Sequence, residues 1–174
     1  MIKILGLKII DRIKEAGLTQ EVLSKYAGII TTRLGFHELT SDLCAREAYI
    51  LIHISGSIIE AEKLRSELND LGGVLLREMS FDDQPFVNFR TDEGALRFLG
   101  LLIENRDHEA VKSVQKTFTS YGCVIRTRLG VNEEFFDQPA GLIVIELAGD
   151  EIQMDLLEKD LQVIPKLVLR KLAF

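Results

Sequence analysis

The side chains in this sequence best suited to hold another molecule are arginines, and they come in pairs. Arg33 and Arg128 each stand in a Thr-Arg-Leu-Gly run, with Gly35 and Gly130 two residues further on. A guanidinium presents a planar fork of donors that matches a carboxylate or a phosphate, whether on a ligand or on a facing protein surface. Two uses follow: an anion-binding site, or ion pairs joining parts of the protein. Arg77 and Arg170 make a second pair, and Asp11-Arg12 with Asn105-Arg106 a third. The third pair stands where helices begin, so it serves either as N-caps or as part of an anion site on free backbone amides.

Other chemistry is sparse. His37, His53 and His108 share no motif, and Cys44 and Cys123 form no CxxC. Neither set has the spacing of a metal site or of a thiol beside a base. Glu133-Glu134 and Asp82-Asp83 read as solvated loop charge, and no glycine-rich phosphate loop is present. No catalytic residue, metal or cofactor is therefore expected.

The pairing of the arginines reflects a duplication. Tyr26 to Gly35 reads YAGIITTRLG and Tyr121 to Gly130 reads YGCVIRTRLG; Leu5-Gly6-Leu7 returns as Leu99-Gly100-Leu101, Gly56 as Gly149, and Phe81 as Phe174. Such self-similarity marks two copies of one structural unit. Each copy begins with an apolar strand, Ile4 to Ile10 or Phe98 to Ile103, and continues into a helix capped by Asp11 or Asn105. A second strand, Ile29 to Leu34 or Val124 to Leu129, stops at Gly35 or Gly130. A third, Tyr49 to Ser55 or Leu142 to Leu147, precedes a helix announced by Ser57 with Glu60, or Asp150 with Gln153. That helix turns Ile59, Leu64, Leu68 and Leu71, or Ile152, Leu157, Leu161 and Ile164, toward the core. Val74 to Met79 and Leu167 to Leu172 are the closing strands.

The order strand, helix, strand, strand, helix, strand, twice over, predicts an α+β protein of two tandem ferredoxin-like βαββαβ units, each a four-stranded antiparallel sheet with two helices on one face. The units span residues 1–81 and 95–174, with 82–94 as linker. Alternation along the second strand puts Arg33 and Arg128 on the face away from Ile30 and Leu34. There they join Thr31, His53, Arg77, Leu51 and Leu75 on the face without helices, which is expected to pack on the other copy or a second subunit.

Composition narrows the partners. With 174 residues, 47% hydrophobic, and Lys+Arg 21 against Asp+Glu 27, the chain is a folded, mildly acidic protein of net charge -6. Residues 1–82 hold 10 basic and 12 acidic residues and residues 83–174 hold 11 and 15, so neither half offers a basic surface for nucleic acid. Ala16 to Gly28, AGLTQEVLSKYAG, does look like part of a helix-turn-helix, but the β-branched run that follows aligns with a strand of the second copy. No apolar run reaches the length of a membrane span and no signal-peptide pattern follows Met1, so a cytoplasmic location is expected.

The second copy, FLGLLIENRDHEAVKSVQKTFTSYGCVIRTRLGV with GLIVIEL and LEKDLQVIPKLVLRKL, resembles the iron-only hydrogenase system regulators. These are small ferredoxin-like proteins related to ACT domains and to the C-terminal domain of the nickel-responsive repressor. The resemblance covers most of residues 96–174 and, more faintly, 2–81. It implies a non-enzymatic regulatory or sensing module that oligomerises through its sheets; taken with the tandem pattern and the absence of a catalytic constellation, the expectation is a module that binds a small anionic or amino-acid-like effector at a sheet or repeat interface near Arg33 and Arg128. Arg33, Arg128, Asp11, Arg12, Asn105, Arg106, Gly35 and Gly130 are the candidate binding residues. The chain lacks the His-x-His pair of the nickel-responsive relatives, and has Asp11-Arg12-Ile13-Lys14 where amino-acid-binding ACT domains carry Asp-x-Pro-Gly. The alternatives are a protein-interaction adaptor with no small ligand and, with less support, a DNA-binding regulator acting through residues 16–35.

Overall fold

A computed structural model describes residues 3–36, 46–81, 96–135 and 138–174. The chain divides into two compact units, Met1–Ser80 and Phe81–Phe174; the expected linker 82–94 lies outside the described residues. The first unit runs β1 (Lys3–Ile9), α1 (Arg12–Lys25), β2 (Ile30–Phe36), β3 (Ala48–Ile54), α2 (Ile58–Asn69) and β4 (Val74–Ser80). The second runs β5 (Arg97–Ile103), α3 (His108–Ser120), β6 (Ile125–Phe135), β7 (Gln138–Leu147), α4 (Glu151–Gln162) and β8 (Leu167–Ala173). Both sheets are antiparallel, ordered β2-β3-β1-β4 and β6-β7-β5-β8. This is the tandem βαββαβ architecture that the alternating periods predict.

Each unit closes a core between its helices and one sheet face. In the first, Leu5, Leu7, Ile9, Ile50, Ile52 and Ile54 meet Leu23, Ala61, Leu64 and Leu68. In the second, Leu99, Leu101, Ile103, Ile145 and Leu147 meet Val114, Phe118, Met154, Leu157 and Leu161. Burying each such leucine contributes roughly 1.5–3 kcal/mol, which outweighs the weak intrinsic preference of short helices. The stripe on the second helix is set differently from expectation at its first position. Ile59 and Ile152 are about 70% exposed (69% and 70%), and Ala61 and Met154 take the core positions instead. Counted from Leu64 and Leu157, residues three or four positions back share the helix face, whereas Ile59 and Ile152 are five back.

The caps agree with expectation at α1, α2 and α4 and correct it at α3. Ser57 and Asp150 accept from the backbone amides of Glu60 and Gln153, at 3.5 and 3.0 Å. Gly56 and Gly149, just ahead of them, adopt φ of 126° and 113°, a region closed to most side chains. Asp11 caps α1 through the amide of Ile13 at 3.2 Å. Asn105 does not cap α3. Four residues rather than two separate β5 from α3, Asn105 and Arg106 turn through positive φ of 52° and 48°, and Asp107 takes the cap with the amide of Ala110 at 3.0 Å. Asparagine is among the residues that tolerate this left-handed conformation best.

Neither Gly35 nor Gly130 ends its strand. Their ladders continue, with Gly35 opposite Ile50 and Gly130 opposite Ile143, and β6 runs on to Phe135. A glycine in extended backbone keeps its hydrogen-bonding groups, so it weakens a strand without breaking the ladder. The helix-turn-helix look-alike dissolves here too, because α1 passes through a short 3-10 turn, Ala27–Ile29, straight into β2.

Candidate functional site

A bulge near the start of each edge strand decides which way the arginines point. In β2 the pairing steps from Ile30↔Ile54 to Thr32↔His53, leaving Thr31 as the extra residue; in β6 it steps from Ile125↔Leu147 to Thr127↔Glu146, leaving Arg126. One inserted residue reverses the alternation beyond it. Arg33 then lies opposite Ile52, and Arg128 opposite Ile145, both core residues under the helices. The expectation that these arginines share the helix-free face with His53 and Arg77 is therefore corrected: they lie on the helix side, at the exposed sheet edge.

There each arginine meets the first helix of its own unit. Arg33 Nη1 donates to Gln20 Oε1 at 2.5 Å, and Arg128 Nη1 to Gln115 Oε1 at 2.9 Å. The Arg128 guanidinium also lies over the Phe118 ring, 5.0 Å from its centroid. Neither guanidinium has a carboxylate within 4.0 Å among the described residues. The cations on the first strand of each unit differ in this: Lys3 reaches Glu62 and Glu78, and Arg97 reaches Asp155 and Glu158. The carboxylates beside Lys3 raise its pKa against the opposing effect of burial, and those beside Arg97 do the same.

Gln20 and Gln115 were not among the sequence candidates. They were legible, since both precede the strand arginine by thirteen residues and fall at the same offset as Tyr26 and Tyr121. Gly35 and Gly130 sit two residues beyond the arginines on the same edge. Asp11 and Arg12 stand nine and eight residues before Gln20, roughly 13 Å away at 1.5 Å per residue, so they belong to the far end of α1. Asn105 and Arg106 lie likewise beyond the start of α3. The structure thus separates the eight candidates into an arginine-glycine edge and a helix-start turn. At that turn Lys166 Nζ reaches Asp107 Oδ2 at 2.5 Å. This bond, with the cap from Ala110, holds the Asp107 carboxyl below its ordinary pKa and raises that of Lys166.

On the opposite face the bulged residues serve buried polar groups. His53, 4% exposed, has its Nδ1 2.6 Å from Thr31 Oγ1, and desolvation lowers its pKa to about 4. At the matching position Glu146, 3% exposed, accepts from Thr127 at 2.6 Å and from Arg126 at 3.2 Å. Both are internal pairings that engage a buried polar side chain from within its own unit. Cys123 is exposed, His108 is exposed beside Glu109, and His37 and Cys44 lie outside the described residues. Among the described residues no group of three or more His, Cys, Asp or Glu could hold a metal, and no helix is long and apolar enough to cross a membrane.

No protein-family model matches this chain, and no curated protein does either. Solved structures do. An uncharacterized protein from Thermotoga maritima is similar at 20% identity and a TM-score of 0.41, over 47% of this chain and 96% of its own. The small subunit of acetolactate synthase from Thermotoga maritima is similar over 100% of this chain and 96% of its own, at 11% identity and a TM-score of 0.34. A chlorite dismutase mutant from Candidatus Nitrospira defluvii is similar over 99% and 91%, at 10% identity and a TM-score of 0.40. Likenesses this distant, to a synthase's small subunit and to a chlorite dismutase alike, assign neither protein's role to this chain.

Proposed function

We propose that this protein is a non-enzymatic regulatory or sensing module, of the ACT-like kind that its resemblance to the hydrogenase system regulators implies, and that it takes a small anionic or amino-acid-like effector at the Arg33 and Arg128 edges. One observation carries the reading. In a chain of net charge -6, two equivalent, exposed arginines are each oriented by a helix glutamine and have no carboxylate partner among the described residues. An oriented guanidinium without an internal counter-ion is a receptor for an external oxyanion, because the side-chain entropy that ordinarily opposes such binding is already spent.

The same geometry disfavours the use of these arginines as ion-pair joints, since each is engaged within its own unit by a neutral amide. A protein-interaction role is the second reading. Its support is an isoleucine exposed at the same place in both units, Ile59 on α2 and Ile152 on α4, each with a further exposed apolar residue on its own helix, Ile58 and Leu156. Assembly into oligomers belongs with either reading, and light scattering measures it.

Thermal unfolding in acetate, glutamate and inorganic phosphate, against chloride at equal ionic strength, tests the effector reading. An effector present at ten times its dissociation constant should stabilise the native state by about 1.4 kcal/mol, raising Tm by several degrees. The Arg33→Ala/Arg128→Ala variant should lose that response. Equal responses from wild type and double variant would overturn the proposal.

A further inference from the structure

The two arginine edges share a design but differ in two ways around the guanidinium. Beneath Arg128 lies Phe118, whereas the equivalent position in the first unit is Leu23. Beside Gln20 stands Ser24, whose Oγ accepts from Gln20 Nε2 at 2.9 Å, so that amide is engaged at both its oxygen and its nitrogen. The equivalent of Ser24 is Thr119. Its hydroxyl donates instead to the backbone carbonyl of Gln115, at 3.0 Å. Gln115 Nε2 therefore has no hydrogen-bond partner among the described residues, while Gln115 Oε1 still holds Arg128.

Resting on the anion-site reading above, we infer that the second unit holds the tighter of two oxyanion subsites, built from the Arg128 guanidinium and the Gln115 side-chain amide, with Phe118 as its floor. The physical reasons are additive in kind. A guanidinium stacked on an aromatic face is confined to one plane, so less freedom is lost when its fork meets a carboxylate or phosphate. The amide nitrogen adds a neutral donor beside that fork, which the first unit has committed to Ser24. Arg33, without an aromatic floor or a spare amide, forms the weaker subsite. A free carboxylate and a phosphate both fit this chemistry, and separate titrations distinguish them.

The Nε–Hε signals of Arg33 and Arg128, assigned from single lysine variants, are followed by NMR while the full chain is titrated with sodium acetate and, separately, sodium phosphate at constant ionic strength. The Arg128 signal should half-saturate at a concentration about two- to fivefold lower than that of Arg33, the range an exposed cation–aromatic contact supports. The salt with the lower half-saturation concentration identifies carboxylate or phosphate as the preferred group. Phe118→Leu and Thr119→Ser install the first unit's own residues and so preserve a packing the fold accepts; each should move the Arg128 curve toward that of Arg33. Coincident curves, or Arg33 saturating first, would overturn the inference and leave the anion-site reading standing. Loss of response from both arginines in both salts would overturn both.

Discussion

The two units are copies whose cores share their leucine positions while their polar positions differ, and the contrast separates what folding requires from what each copy is free to change. Leu64 and Leu157, Leu68 and Leu161, and the first-strand leucines occupy matching sites, all within 1% of complete burial. The polar positions have diverged. His53 stands where the second unit has Glu146 and Gly73 where it has Lys166, and within the core Leu23 gives way to Phe118 under the arginine edge. Close packing couples every core residue to several others, whereas an edge or surface position answers to one or two neighbours.

The sharpest way to break this comparison is to truncate matched core residues. Leu64→Ala and Leu157→Ala should each cost about 2–5 kcal/mol, because both remove a wholly buried side chain between helix and sheet. Urea unfolding followed by a probe in each unit reads the two costs; a difference above about 2 kcal/mol would show that the cores are not equivalent.

A smaller effect distinguishes His53 from Glu146. The folded pKa of His53, about 4, lies below its ordinary value of 6.5, because burial disfavours the imidazolium. Below pH 6.5 the unfolded chain binds a proton that the native histidine refuses. Stability is therefore whole above pH 6.5 and falls as pH drops toward 4, by up to about 3 kcal/mol. His53→Gln should flatten that part of the pH–stability curve relative to wild type. An unchanged slope would mean that the histidine takes up its proton in the folded state.

The smallest effect concerns the caps of the second helices. The cap bond of Asp150 is 3.0 Å and that of Ser57 is 3.5 Å, the outer limit for such a bond. Asp150→Ala should cost about 1 kcal/mol, and Ser57→Ala about half as much. Thermal melts of the two variants check the order, and a reversal would show that cap distance does not govern the difference.

Much of the fold was legible because its causes are local and repeated. The apolar runs, the Ser57 and Asp150 caps, and the glycines at 56 and 149 each leave a mark in residue type, and the duplication checked each against a second example. The first helix start of the second unit was misread because Asn105 aligns with Asp11 by type. The turn there is two residues longer, and the true cap is Asp107. The candidate site was half legible: its arginines stand out in the sequence, their glutamine partners do not, and alternation alone puts the arginines on the wrong sheet face.

By itself the amino-acid order determined two βαββαβ copies and the composition of their cores, since burial periodicity along each segment is a property of that segment alone. Which face Arg33 and Arg128 present, and that Gln20 and Gln115 hold them, was decided only in three dimensions. ITTRLG and IRTRLG read as unbroken strands. The extra residue at Thr31 and Arg126 exists only relative to the neighbouring strand, where the hydrogen-bond ladder must slip by one position to keep both Ile30 and Arg33 on the helix side.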